Sequence, residues 1–177
     1  MVDDASISDY ARADIRFDEP VGYAQARLAG LHAVTTEFVA FLDDDDRLMP
    51  SWLQRSLAVM QDCDVAAASY IETNAEMERL RTHILPPATL DDLRVGVCPV
   101  NDGALIRMSV LDGVRFRPDR DTAMMFSLWL DLAAKGARFG VVGEPVWYRR
   151  LHDSNMSSTV GDVDAAWRAQ AVAEHSR

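Results

Sequence analysis

Four consecutive aspartates, Asp43 to Asp46, directly follow the apolar run of residues 38–42. That run is short, aromatic or β-branched at several positions and almost free of polar atoms, so it predicts a strand buried on both faces of a parallel sheet. Four carboxylates within about 10 Å of chain repel one another and raise each other's pKa unless a cation lies close. The junction therefore indicates a site for Mg²⁺ or Mn²⁺ at the carboxyl end of a buried strand. The alternative is a solvated turn in which Asp46 caps the next helix.

The remaining composition limits the class of protein. A length of 177 residues and an apolar content of 49% predict one soluble domain. No apolar stretch approaches the roughly 20 residues that span a bilayer, and the first residues do not resemble a signal peptide, so we expect a cytoplasmic protein that is not transmembrane. The formal charge of −10 argues against a nucleic-acid partner. Cys63 and Cys98 form no CxxC pair, which favours reduced, packed thiols.

Strand and helix patterns alternate in the first half of the chain, which predicts an α/β fold with a mostly parallel sheet. We expect strands at 15–17, 38–42, 64–71, 103–108, 138–142 and 146–151, and helices at 22–34, 50–61, 122–135 and from 160 to the end. In the second helix, Trp52, Leu53, Leu57 and Met60 are predicted to face the core. Residues 72–94 show little periodicity and are predicted to be mainly loops.

Several motifs occur in a particular order along the chain. These are Val-Asp-Asp-Ala-Ser at 2–6, Ala-Arg at 26–27 with Gly30, the aspartate run with Pro50, and Tyr-Arg-Arg-Leu-His at 148–152. Together they resemble the family 2 glycosyltransferases, which have the GT-A fold. The resemblance implies a Rossmann-like sheet flanked by helices, with a nucleotide- and metal-binding half at 1–71, an acceptor-side half at 72–160 and a C-terminal helix at 161–177. It also implies inverting transfer of a sugar from a nucleotide-diphosphate sugar to an unknown acceptor.

The resemblance assigns a nucleotide role to four residues. Asp3 and Asp4 would meet the base and ribose, Arg27 would lie near the diphosphate, and Asp44 would lie on the nucleotide side. Without the resemblance, Asp3 and Asp4 could belong to a frayed terminus and Arg27 could be a solvated helix residue.

The resemblance also assigns a metal role to three residues. Asp43 and Asp45 would form the DxD pair that holds Mn²⁺ or Mg²⁺ against the phosphates of the sugar nucleotide. His152 would lie near the metal or the phosphates, although an isolated histidine after a strand is more often an ordinary hydrogen-bonded residue.

The start of the chain departs from the family pattern. The family normally opens with a strand that ends in an IPxYN-like loop, followed by a helix, whereas this sequence begins at its Val-Asp-Asp segment. We therefore expect an N-terminally truncated domain with an exposed sheet edge, which a homodimer would cover.

The predicted helix at 122–135 departs from the pattern as well. Met124 and Met125 stand where the family has an acidic pair, and methionine cannot accept the proton of an acceptor hydroxyl. Both are expected to be core residues, and Asp121, about one turn earlier, is the candidate general base or a helix cap. A degenerate, non-catalytic binding or assembly module therefore stays open as the alternative function. A metal-dependent phosphoryl-transfer or hydrolase domain is a third.

Overall fold

The computed structural model describes residues 2–5, 13–95, 97–98, 100–114, 116–117, 119, 123–153, 155 and 161–175. Helices and strands alternate along much of this part of the chain. The strands are β1 (Val2–Asp3), β2 (Ile15–Arg16), β3 (Phe38–Ala40), β4 (Arg47–Leu48), β5 (Val65–Thr73), β6 (Arg79–His83), β7 (Leu105–Arg107) and β8 (Phe139–Arg150). The α-helices are α1 (Tyr23–His32), α2 (Trp52–Val59), α3 (Leu90–Arg94), α4 (Met124–Ala134) and α5 (Gly161–Glu174), and Met108–Leu111 forms a 3₁₀ turn.

The described strands form two sheets. β1 and β2 pair in parallel, and the other strands form a six-stranded sheet in the order β3-β7-β5-β8-β4, with β6 also paired to β5. The predicted α/β class is confirmed, but the larger sheet is mixed: β5 and β8 are parallel, whereas the other pairs in that sheet are antiparallel. β6 runs against β5 because the short turn at 74–78 cannot provide the crossover that a parallel pair needs.

β3 carries the apolar run and lies at one end of the six-stranded sheet. Val39 belongs to one core cluster and Phe38 packs against the other, so both faces of β3 are covered, as predicted. The expectation of a parallel neighbour was wrong, because β3 pairs antiparallel with β7. Since β7 is also antiparallel to β5, β3 points in the same direction as β5 and β8. The carboxyl ends of these three strands therefore lie at the same edge of the sheet.

The hydrophobic core has one layer on each face of this sheet. Along β5, Val65 and Ala67 enter the first cluster, while Ala66 and Ala68 enter the second, as expected for side chains that alternate between faces. The first layer contains α4, whose side chains are buried over almost the whole helix. This confirms that Met124 and Met125 are core residues.

The burial of α2 differs from the prediction. Trp52 and Met60 are buried as expected, but the side chains of Leu53 and Leu57 are 52% and 39% exposed. Nε1 of Trp52 donates a hydrogen bond to the Gly103 carbonyl at 2.7 Å, which fixes the rotation of the helix. The buried stripe then follows the spacing of four residues from Trp52 through Ser56 to Met60, and both leucines lie beside it.

The second half of the chain differs from the prediction in two places. Residues 139–150 form one strand instead of two. Its pairing with β5 is interrupted after Val142 and resumes at Trp147 in a shifted register, so the strand continues through the predicted break. Residues 72–94 include β6 and α3 in addition to loops. β6 was missed because its sequence, Arg-Leu-Arg-Thr-His, is largely exposed and lacks an apolar face.

Two expectations drawn from composition can be compared with the structure. Cys63 and Cys98 are both free thiols, as predicted. Among the helices in the described ranges, we find none with the length and apolar character needed to cross a membrane.

Candidate functional site

The aspartate run forms a tight turn beyond the carboxyl end of β3. The backbone N–H of Asp46 donates to the carbonyl of Asp43 at 3.2 Å, which folds the run back on itself. One carboxylate oxygen from each of Asp43, Asp45 and Asp46 lies within 4.8 Å of the others. We call these three residues the acidic cluster. Asp44 is not part of this cluster; it is exposed and lines a cavity that Asp43 and Asp46 also line.

Asp45 is held by residues that follow β8. Its Oδ2 lies 2.8 Å from Nε2 of His152 and accepts a hydrogen bond from Nδ2 of Asn155 at 3.0 Å. The backbone N–H of His152 donates to Oδ1 of Asn155 at 2.6 Å, so the two partners also fix each other. The sequence analysis paired Asp45 and His152 in one site, and the structure brings their side chains into contact.

Asp46 is bound to the end of β8 and does not cap α2. Its Oδ1 accepts a hydrogen bond from the backbone N–H of Arg150 at 2.9 Å, whereas the N-cap residue of α2 is Ser51. The pKa of Asp46 is raised to about 7: burial is the largest cause, the charges of Asp45 and Asp43 also raise it, and the hydrogen bond from Arg150 opposes them. The capping alternative for Asp46 was therefore wrong.

Arg27 connects α1 to the acidic cluster. Its guanidinium donates to Asp43 through Nη2 and to Oδ1 of Asp102 through Nη1, the latter at 2.6 Å. The Tyr23 ring centroid lies 4.1 Å from the guanidinium carbon and that of Phe41 lies 5.4 Å from it. Burial alone would lower the pKa of Arg27, but the charges of Asp102 and Asp43 outweigh it and raise that pKa. Arg27 is therefore a buried cation and not a solvated helix residue.

Asp43 carries the opposite charge in this contact, and several groups act on its pKa. Burial raises the pKa of Asp43, as do the charges of Asp102 and Asp45, while Arg27 opposes them. Together these effects raise the pKa of Asp43. Additional positive charge close to Asp43 would therefore favour its ionised form.

Asp4 lines the same cavity as Asp43 and Asp46 of the acidic cluster. Asp4 accepts hydrogen bonds from the backbone N–H groups of Val21 and Gly22 at 2.6 and 2.9 Å, so it fixes the approach to α1. Asp3 lies in β1, and its side chain is outside the described part of the chain. The cavity has a volume of about 660 Å³ and is lined by β1, α1 and β3, with Asp4, Arg27 and Asp43 among its lining residues.

The candidate general base cannot be placed in this site. Asp121 lies outside the described residues. Met124 and Met125 are 1% and 7% exposed in the core, so neither presents a polar group to the cavity.

Two residues of the site were missed by the sequence analysis. Asp102 lies in the loop before β7, and Asn155 lies three residues after His152. An Asn-Asp-Gly sequence such as that at 101–103 is typical of a turn, but the proximity of Asp102 to Arg27 follows only from the order of the strands. Asn155 could have been noted from its position close to the Tyr-Arg-Arg-Leu-His motif.

The mixed sheet, its flanking helices and the acidic cluster beside a cavity define an α/β protein of the GT-A type. The family model described as glycosyl transferase family 2 matches residues 1–115, and the chain belongs to this family. The resemblance found in the sequence is thereby confirmed. None of the curated proteins matches this chain.

Solved structures of S. aureus TarS have a similar fold. The 1–349 fragment in complex with UDP-GlcNAc is 16% identical, with a TM-score of 0.67 over 98% of this chain and 61% of that chain. The complex of the same fragment with UDP is also 16% identical, with a TM-score of 0.64 over 98% of this chain and 60% of that chain. A crystal structure of TarS is 15% identical and has a TM-score of 0.67 over 98% and 36% of the two chains. This chain thus spans less than two thirds of the length of these structures.

Proposed function

We propose that this chain binds a nucleotide-diphosphate sugar through a divalent metal and takes part in inverting transfer of the sugar to an acceptor. The observation that carries the proposal is the convergence of Asp43, Asp45 and Asp46, of which Asp43 and Asp46 line the cavity. Family membership and the fold shared with a protein crystallised with UDP and UDP-GlcNAc support the choice of ligand.

The donor atoms of the acidic cluster fit Mn²⁺ or Mg²⁺. They are carboxylate oxygens close together, a set that hard divalent cations prefer. In this proposal Asp43 and Asp45 are the ligands and His152 orients Asp45 through their contact. When bound, the cation would neutralise charge that develops on the leaving diphosphate.

The nucleotide is assigned to the cavity beside the cluster. Its volume of about 660 Å³ is within the usual range for small-molecule sites. Arg27 supplies a buried positive charge for the diphosphate, and Asp4 and Asp44 supply acceptor oxygens along the same cavity. We assign Asp3 to the nucleotide and Asp121 to the proton transfer on the basis of the family resemblance.

A second candidate function is a binding or assembly module without catalytic activity. The burial of Met124 and Met125 favours it, because the helix offers no carboxylate at these two positions to remove a proton from the acceptor. Sugar transfer by the wild type that is lost in Asp121→Asn would contradict this alternative.

Calorimetric titration with Mn²⁺ and UDP or GDP tests the binding proposal. We expect heat of binding that depends on Mn²⁺, and affinity at least about tenfold lower in Asp43→Asn and Asp45→Asn, because each variant removes a charged ligand. Asp91→Asn, which changes an exposed carboxylate on α3, is the control for net charge. A folded wild-type protein that produces no heat at millimolar ligand would contradict the proposal.

We also propose that a second copy of the chain covers the outer edge of β3. Among the described strands, β3 pairs only with β7, so its other edge has no strand partner in that part of the chain. An edge of this kind is a template for pairing with another chain.

A further inference from the structure

Arg27 is held between two carboxylates that come from different parts of the chain. Asp43 follows β3, and Asp102 precedes β7. The side chain of Arg27 is only 10% exposed, and the rings of Tyr23 and Phe41 cover the guanidinium. A charge buried to this extent requires a counter-ion at all times, because an unpaired buried charge is strongly destabilising.

In the proposed function, Asp43 interacts with two cations. It is the partner of Arg27 in the structure, and it is also one of the residues assigned to the metal. A guanidinium and a divalent cation on the same carboxylate repel each other strongly at such short separation. Asp43 can bind the metal well only if Arg27 is neutralised by a different anion.

Asp102 provides that anion at a fixed position. The backbone N–H of the next residue, Gly103, donates to the Phe41 carbonyl at 2.9 Å, and its carbonyl accepts from Nε1 of Trp52 at 2.7 Å. The loop that carries Asp102 is therefore anchored to the segment that leads into the aspartate run and to α2. The side chain of Asp102 is 26% exposed, compared with 41% for Asp43, so Asp102 is the more enclosed partner of Arg27.

We propose that Asp102 is a positioning residue that binds Arg27 and thereby frees Asp43 to bind the divalent metal. The inference rests on the proposed function, because it requires a metal at the acidic cluster. Asp102 acts through Arg27 and is not itself a metal ligand. Removal of Asp102 leaves Asp43 as the only carboxylate that holds Arg27 among the described contacts, so Arg27 then competes fully with the metal.

A double-mutant cycle with Mn²⁺ alone tests this coupling. Free Mn²⁺ is measured by electron paramagnetic resonance for the wild type, Asp102→Asn, Arg27→Gln and the double variant, and circular dichroism checks that each is folded. We expect Asp102→Asn to weaken Mn²⁺ binding about tenfold in the wild-type background and by much less in the Arg27→Gln background. Arg27→Gln by itself should strengthen binding, because it removes the competing cation. Arg27→Met is the replacement background if Arg27→Gln does not fold.

The sign of the coupling separates this mechanism from a general charge effect. If the charge of Asp102 attracted the metal directly, Asp102→Asn would weaken Mn²⁺ binding at least as much in the Arg27→Gln background as in the wild type, because no guanidinium would then screen the charge of Asp102. That result would overturn the inference while leaving the metal site intact. Absence of Mn²⁺ binding by the wild type would overturn the metal site and the inference together. Asp91→Asn is again the charge control, with unchanged affinity expected.

Discussion

The ionisation of Asp46, a member of the acidic cluster, is linked to folding. Its pKa is raised by burial from an ordinary value of 3.8 to about 7 in the folded chain. The folded protein therefore binds a proton at this site more tightly than the unfolded protein does. The resulting contribution to stability is complete below about pH 4 and is lost as the pH rises through 7.

Asp46→Asn is expected to stabilise the metal-free protein at pH 8 and to have little effect at pH 4, where the folded and unfolded chains both bind much of this proton. Asparagine can still accept the hydrogen bond from the Arg150 N–H but carries no charge to be buried. After allowance for partial exposure of the carboxylate, the gain is about 1 kcal/mol, or an increase in Tm of about 2–4 °C. Thermal denaturation in the presence of EDTA at the two pH values measures this difference.

Asp44→Asn is the matched control for this prediction, since it makes the same change of charge in the same turn at an exposed position. Equal changes in Tm for the two variants at pH 8 would show that net charge, and not the burial of Asp46, is responsible.

At the scale of elements, the loop at 101–103 contacts both layers of the core and carries Asp102 of the site. Gly103 bonds to Phe41 of the first core cluster and to Trp52 of the second. Gly103 has a φ of +79°, and a Cβ at this position would lie 3.1 Å from the Trp147 ring. The ring is held by a hydrogen bond from its Nε1 to the Ala68 carbonyl at 2.9 Å. Glycine is therefore required for both backbone conformation and space, and the position of Asp102 depends on it.

Gly103→Ala is expected to destabilise the fold by about 3 kcal/mol, from the left-handed backbone conformation and from overpacking against Trp147. Urea denaturation measures the loss. Gly136→Ala is the matched control, because Gly136 has a φ of +85° but nothing within 4 Å of the added Cβ. It should cost only about 1–2 kcal/mol. Equal losses for the two variants would contradict a steric role for Trp147.

At the scale of the whole molecule, the two sheets are separate in the described part of the chain. β1 and β2 form a small sheet that contacts α1, and β3 ends the larger sheet. The cavity lined by β1, α1 and β3 is the proposed ligand site, and the outer edge of β3 has no strand partner among the described residues.

Light scattering after size exclusion tests the proposed association. We expect a mass of twice the 19.7 kDa of the chain at high protein concentration, with a shift towards that value as concentration increases. A strict monomer from micromolar to submillimolar concentration would contradict the proposed pairing along β3.

The sequence by itself determined the features that depend on neighbouring residues. The apolar run at β3, the aspartates that follow it, the helical period of α1 and the apolar composition of α4 are local patterns, and each was predicted from adjacent side chains. The order of the motifs was sufficient to indicate the family and to select Asp43, Asp45, Arg27 and His152 for one site.

Only the tertiary structure decided which distant residues meet. Asp102 contacts Arg27 across 75 positions of sequence, and His152 contacts Asp45 across 107. The first contact depends on the pairing of β7 with β3, and the second depends on where β8 ends after its shift in register. No local pattern specifies these relations, because strand order and register are set by packing of the whole sheet. The same packing decided that Leu53 and Leu57 lie at the surface.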